Sequence, residues 1–419
     1  MMGCGAPWRG TPVKILSVNT FFPCPPRRGM DLIYLNLLKL QSRDHAVTVV
    51  TMRRSEAEAA PSEDLPELRA RVVFVEPRNT TSLAYKIWYR VLYSLLSVIT
   101  WRPRCTFYGA PRELADEVRR LLATERFDLV EIHHSTSASL SKATGDHRTA
   151  LYMYDVHFRA KARSAATKRG FNAFLARLGV SQFRHFEKRM LSNYDAILLG
   201  QEEDKAEVLR LIKKGPLVAL MPNVIDTDIV RPEPSTESRP HTAIFVGAMT
   251  HKANIDAIMH FHQHIWPLIR QRVPDAQWMI VGAWPPPEIL ALDGHQGVCV
   301  YSNVPDVKPF IRESAVYIAP LRIGSGVKVK IMEALAMGKA IVATPVAAEG
   351  MGLLVGQNVE IAELDDQFAD VIIRLWADST CRSQMEQHAR QTAIERFGID
   401  AGARTLTQIY QQLGICKSQ

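Results

Sequence analysis

The sequence predicts an α/β protein of two doubly wound parallel sheets that face each other across a cleft. Three observations carry this. Apolar strand-length runs alternate with longer amphipathic runs almost from end to end, the pattern of parallel strands joined by helices. The chain has 419 residues, too many for one ordinary core. A polar, proline-rich segment without periodicity, 221–240, interrupts the alternation near the middle and reads as a linker. The expected organisation is a first domain over 13–220, a second over 241–385, and closing helices over 386–419.

In the first domain the expected strands are Val13 to Asn19, Ala46 to Thr51, Val72 to Val75, Leu129 to Ile132, Ala150 to Tyr154 and Ala196 to Leu199, each an apolar run bounded by polar or turn residues. Between the first two, Leu32, Leu35, Leu37, Leu38 and Leu40 fall at helical spacing. In the second domain they are Ala243 to Val246, Trp278 to Val281, Val298 to Tyr301, Val316 to Ala319 and Ala340 to Ala343. In open sheets of this kind ligands lie at the carboxyl ends of the strands, so two facing sheets predict a bipartite site.

Composition narrows the function classes. An apolar fraction of 47% with 22% charged residues is that of a globular protein. The six cysteines are scattered without paired spacing, which argues against a disulfide framework and a zinc site and favours a reducing cytosol. Val13 to Phe22 reads as a strand, so no secretion signal is expected. The net charge of +8 points to an anionic partner. Much of it gathers between Arg159 and Arg189, where nine basic residues are interrupted by one acid, Glu187, without a recognised nucleic-acid-binding module.

The most informative stretch is Pro320 to Gly338. A buried strand, Ala315 to Leu321, empties into a loop with Arg322, Gly324, Ser325, Gly326, Lys328 and Lys330, and a helix follows. Such a loop turns backbone N–H groups and a helix N-terminus toward an anion, and the lysines add charge. Glu333, one turn into the helix, is placed to accept hydrogen bonds from vicinal sugar hydroxyls. Together these suit a nucleotide diphosphate with its ribose.

From Ile244 to about Met351 the chain resembles the C-terminal half of family 4-type glycosyltransferases of the two-Rossmann-domain, or GT-B, architecture. The matching pieces are Phe245-Val246-Gly247 with Asn254-Ile255-Asp256, Val304-Pro305-Asp306, Pro320 to Met337 and Ala348-Glu349-Gly350, in that order. The resemblance implies that Gly247, Lys252, Arg322, Gly324, Ser325, Gly326, Lys330 and Glu333 bind the donor, with Gly29 approaching the sugar phosphate from the first domain. It implies catalytic roles for Lys330, for Glu349 near the donor sugar, and for His133, in the loop after the Leu129 to Ile132 strand. His157 is a second candidate near the acceptor, with Asp155 and Glu131 orienting the rings or capping strand ends. The chain departs from the family at Ala248, Ser325 and Met30, where arginine, glutamate and a second glycine are usual. Its Gly-x-Gly-basic loop is similar to that of a subgroup.

The implied activity is transfer of a sugar from a nucleotide diphosphate to a saccharide or lipid-linked acceptor in cell-surface polysaccharide or glycolipid assembly, with retention, no metal and no further cofactor. An epimerase or phosphorylase, or a membrane-bound scaffold that kept the fold, is the alternative. Residues 82–101 are apolar, with Lys86 and Arg90 as the only charges up to Thr100, and suit an interfacial helix better than a span. With the basic run 159–189 they predict docking on the anionic cytoplasmic face of a membrane.

Overall fold

The computed structural model describes residues 11–23, 29–53, 68–77, 83–166, 168–212, 215–233, 238–324 and 328–416. The predicted site residues Ser325 and Gly326, part of the proline-rich first loop, and residues 234–237 of the expected linker lie outside them. The chain divides into two compact units, Met1–Pro222 with Gly402–Gln419, and Asn223–Ala401.

Unit 1 is built on a seven-stranded sheet of β1 (Lys14–Asn19), β2 (Ala46–Met52), β3 (Ala70–Val75), β4 (Leu129–His133), β5 (Thr149–Met153), β6 (Ala196–Leu199) and β7 (Leu217–Leu220), in the order β3-β2-β1-β4-β5-β6-β7. Every pairing is parallel. Helices cover a parallel sheet on both faces, which is why its central strands are apolar at nearly every position. Ile15, Leu16, Val18, Val130, Ile132 and Leu151 are all fully buried. Helix α1 (Gly29–Asp44) follows β1 and buries Tyr34, Leu37 and Leu38. Helix α2 (Leu83–Ile99) follows β3, and α3 (His157–Ala166) and α4 (Gly170–Leu191) lie between β5 and β6.

Glu187, the one acid of the basic run, explains where α3 begins. Its carboxylate accepts the backbone N–H groups of His157 at 3.1 Å and Phe158 at 3.3 Å, donors that no turn of helix precedes. The same carboxylate accepts the Ser135 hydroxyl at 3.0 Å.

Unit 2 has six parallel strands, β8 (Arg239–Val246), β9 (Gln277–Gly282), β10 (Val298–Ser302), β11 (Ser314–Ala319), β12 (Ala340–Ala343) and β13 (Glu360–Ile361), in the order β10-β9-β8-β11-β12-β13. Helix α5 (Lys252–His260) follows β8, and α6 (Val329–Ala336) follows β11. Trp266, Trp278, Phe245, Phe261 and Phe368 fill its core. Helix α7 (Ile399–Gln412) closes the fold, and its residues from Gly402 onward belong to unit 1. There Tyr410 is fully buried and donates to the Glu131 carboxylate at 3.2 Å.

The expected strands are present to within a few residues, the loop-leading strand ending at Ala319 and not at Leu321. Two short strands, β7 and β13, were not anticipated, and β8 begins at Arg239, inside the segment read as linker.

Candidate active site

In both sheets the strand order reverses next to the first strand of the unit, between β1 and β4 and between β8 and β11. Crevices at such reversals, outside the carboxyl ends of the strands, are where open α/β sheets hold ligands.

At the reversal in unit 2, the loop after β8 and the helix after β11 meet on three side chains. Lys330 Nζ donates to Asn254 Oδ1 at 2.7 Å, and Asn254 Nδ2 donates to the Ala248 carbonyl at 2.7 Å. The ammonium also sits 4.4 Å from the Phe245 ring centroid, a cation–π contact that fixes it from below. Gly247 directly follows β8 and lies against this pair. A Cβ there would lie 2.7 Å from Asn254 Nδ2 and 2.9 Å from Lys330 Nζ, so only glycine leaves both groups in place. Loss of water, reinforced by nearby Lys328, pulls the Lys330 ammonium down to about 7. Burial pushes the Glu333 carboxyl, one turn along α6, up to about 7 against the opposing pull of Lys308 and Lys330. The crevice thus holds a poorly hydrated cation and carboxylate, both poised near neutrality, a condition that a bound anion and a hydroxyl pair would relieve.

At the reversal in unit 1, His133 ends β4. Its ring is 0% exposed, with Nε2 3.0 Å from Ser17 Oγ on β1 and Nδ1 2.9 Å from Tyr154 Oη. Tyr34 and Tyr152 pack on it at centroid distances of 4.4 and 4.9 Å. The next residue, His134, leaves the strand with φ 74°, a left-handed conformation that costs energy outside glycine. Its half-buried ring packs against Phe21 and Tyr154. Farther along, His157 Nδ1 is 2.8 Å from Ser135 Oγ, and burial lowers His157 to about 4 while it raises Glu187 to about 7.

Residues 240–378 match the family model of glycosyl transferases group 1. The chain has the GT-B fold. A sucrose-phosphate synthase from Thermosynechococcus elongatus superposes with a TM-score of 0.69 at 14% identity, over 96% of this chain and 98% of that one. The Anabaena protein HepE, solved in complex with UDP-glucose, superposes with a TM-score of 0.66 at 13% identity, over 96% of this chain and 100% of its own. An uncharacterised 44.6 kDa protein in the cps region of Klebsiella pneumoniae is 20% identical over 370 residues, 86% of this chain and 90% of that protein.

Within this chain the structure brings together Gly247, Lys330 and Glu333 of the expected donor set. Lys252 is the exposed first residue of α5. Arg322 is held on α5, Nε donating to Asp256 at 3.1 Å and a terminal nitrogen 2.7 Å from His260 Nδ1. Gly324 has φ 153°, and Glu349 is half-buried directly after the short helix Pro345–Ala348. Gly29 is the exposed first residue of α1.

The expectation that set His133 against a sugar meets an enclosed ring with both nitrogens engaged, because β4 is buried at every position up to and including His133. Glu131 orients no histidine: Gln41 Nε2 donates to its two oxygens at 2.9 and 2.8 Å, and Tyr410 covers it. Asn254 stood in the sequence motif without a role. Its place seven residues after Gly247 was the available signal.

Proposed function

We propose that this chain is a group 1 glycosyltransferase that moves a sugar from a nucleotide diphosphate to a saccharide or lipid-linked acceptor in cell-surface polysaccharide or glycolipid assembly, with retention of anomeric configuration. The observation that carries the reading is the convergence of Gly247, Asn254 and Lys330 at the strand-order reversal of unit 2, with Glu333 one turn away. Backbone N–H groups around Gly247 and Gly324 approach the diphosphate closely. Lys330, regaining its full charge beside the phosphates, stabilises the charge that develops on the leaving group, with Lys328 and the N-terminus of α6 in support. This arrangement does the work that a metal ion does elsewhere, so transfer proceeds without one. Glu333 accepts from the ribose hydroxyls, and Glu349 lies toward the transferred sugar. Within group 1 the chain belongs to the Gly-x-Gly-basic subgroup, with Ser325 where glutamate is usual.

Two neighbours support the finer points. HepE was solved with UDP-glucose, so a uridine diphosphate sugar is the first donor to test. The Klebsiella relative lies in a cps region, which favours assembly of surface polysaccharide. Among the described residues no helix is long and apolar enough to cross a membrane, and α2 exposes apolar side chains, which supports peripheral contact with the cytoplasmic face of a bilayer.

The test is release of nucleotide diphosphate from a panel of sugar nucleotides, with and without lipid-linked acceptor. Acceptor-dependent release, abolished in folded Glu333→Ala and Lys330→Ala proteins, is expected. Wild-type rates in both variants would remove the proposed donor site, and turnover without acceptor would replace transfer by epimerase or phosphorylase chemistry.

A further inference from the structure

Helices α2 and α4 of unit 1 each present an uncovered apolar stripe. On α2, Trp88, Val91, Leu95 and Val98 recur at spacings of three and four, with Val98 70% and Ile99 77% exposed. On α4, Phe171, Phe174, Leu175 and Leu178 do the same, Phe171 being 73% exposed. Such spacing puts each set on one helix face.

The stripes are joined at a seam. Gln182 Nε2 of α4 donates to the Ser97 carbonyl of α2 at 3.4 Å. Beside that bond lies a groove of about 460 Å³ with Ser97, Tyr108, Leu175 and Phe183 in its walls and three cations, Arg104, Lys161 and Lys168, around it. Arg104 also lines a second groove, of about 370 Å³, with Val91, Leu95 and Val98, so the basic seam runs on into the α2 stripe.

Among the described residues none of Arg104, Lys161 and Lys168 makes an ion pair with a carboxylate. The one acid of the run, Glu187, is buried and committed to Ser135 and the start of α3. The aliphatic stem of Lys161 extends past Phe183, with Nζ 5.9 Å from the ring centroid. The surface therefore combines apolar side chains with a cluster of cations, complementary to a layer that is apolar within and anionic at its boundary.

We propose that the seam between α2 and α4 is a phospholipid headgroup site, in which Arg104, Lys161 and Lys168 hold the phosphate of an anionic lipid while the two stripes enter the acyl boundary. This rests on the membrane reading above and adds to it the site that selects the lipid.

The test is co-sedimentation of the full chain with phosphatidylcholine vesicles, with or without phosphatidylglycerol. Three proteins are compared: wild type, Lys161→Ala/Lys168→Ala, and a charge-matched control, Arg119→Ala/Arg210→Ala, elsewhere on unit 1. Wild type is expected to bind only the vesicles with phosphatidylglycerol. The groove variant should lose roughly 30-fold in affinity, on the basis of about 1 kcal/mol per basic side chain, and the control only a few-fold. Unchanged thermal unfolding and nucleotide binding would show that each variant is folded. Equal losses in the groove variant and the control would overturn the headgroup site and leave general membrane attraction standing. Failure of wild type to bind either vesicle would sink the membrane reading itself. Reversible dimerisation abolished by Leu95→Asp would assign the surface to a second copy and also overturn the proposal.

Discussion

Lys330 reaches back across its unit to Asn254, 76 positions earlier, and the 2.7 Å bond between Nζ and Oδ1 ties α6 to the first turn of α5. Removing the amide leaves a poorly hydrated ammonium without its acceptor and frees the Ala248 carbonyl. A hydrogen bond to a charged group is worth about 1.5–3 kcal/mol. Asn254→Ala is therefore expected to weaken nucleotide diphosphate binding by roughly tenfold or more, and Gly247→Ala, whose methyl would collide with both partners, by at least as much. Calorimetry on folded variants checks both. Wild-type affinity in Asn254→Ala would mean that the clamp does not position Lys330.

Lys330, pulled down to about 7, gives nucleotide binding a pH signature. A diphosphate favours the charged ammonium, so above pH 7 the complex must take up a proton to form. Affinity should fall with rising pH, by up to about tenfold per unit, until the pKa of the complex is reached. Titrations between pH 7 and 9 in buffers of different ionisation enthalpy measure the slope and the proton. Lys330→Arg, which cannot lose its charge in this range, should flatten the profile. A profile equally steep in that variant would assign the proton to another group.

His133 and His134 are adjacent, yet they are expected to fail in different ways when replaced. His133→Ala opens a cavity and removes the ring's hydrogen bonds with Ser17 and Tyr154, which costs about 2–4 kcal/mol. Thermal unfolding should show this loss before any kinetic effect is interpreted. His134→Ala removes a half-buried ring at a left-handed position and should lower turnover with little change in stability. Equal stability of the two variants would contradict the assignment of His133 to the frame of the site.

Burial raises the Glu131 carboxyl to about 7, against the hydrogen bonds it accepts from Gln41 and Tyr410. The unfolded chain titrates this group near 4.5, so between pH 4.5 and 7 the native state holds the extra proton and this group's contribution to stability falls as pH rises. Above pH 7 the penalty is complete. Glu131→Gln should therefore be more stable than wild type at pH 8, by an amount on the order of 1–3 kcal/mol, and the difference should shrink at pH 5. Denaturant melts at the two pH values measure it. A constant difference would mean that Glu131 is ionised throughout.

The two-sheet architecture was legible because parallel strands buried on both faces, such as Ile15 to Val18 and Ala243 to Val246, need continuous apolar runs that little else requires. The edge strands Leu217–Leu220 and Glu360–Ile361 were not, since four and two residues carry no periodicity of their own. Lys330 and Glu333 stood out through the spacing of one loop and helix start, and Gly247 through its place after the first strand of the second unit. The pairing of Lys330 with Asn254 and the diversion of Arg322 to Asp256 and His260 depend on tertiary packing. Which of two successive histidines is enclosed turns on where β4 ends and on one backbone angle at His134, which no side-chain pattern records.

The most direct test of the donor site is calorimetric titration of the purified protein with UDP, GDP, ADP and CMP, without added metal, alongside Glu333→Ala. The expected result is binding of one nucleoside diphosphate by the wild type and its loss in the folded variant. Binding of none of them by folded wild-type protein, or equal binding by Glu333→Ala, would contradict a nucleotide site built on Gly247, Asn254, Lys330 and Glu333.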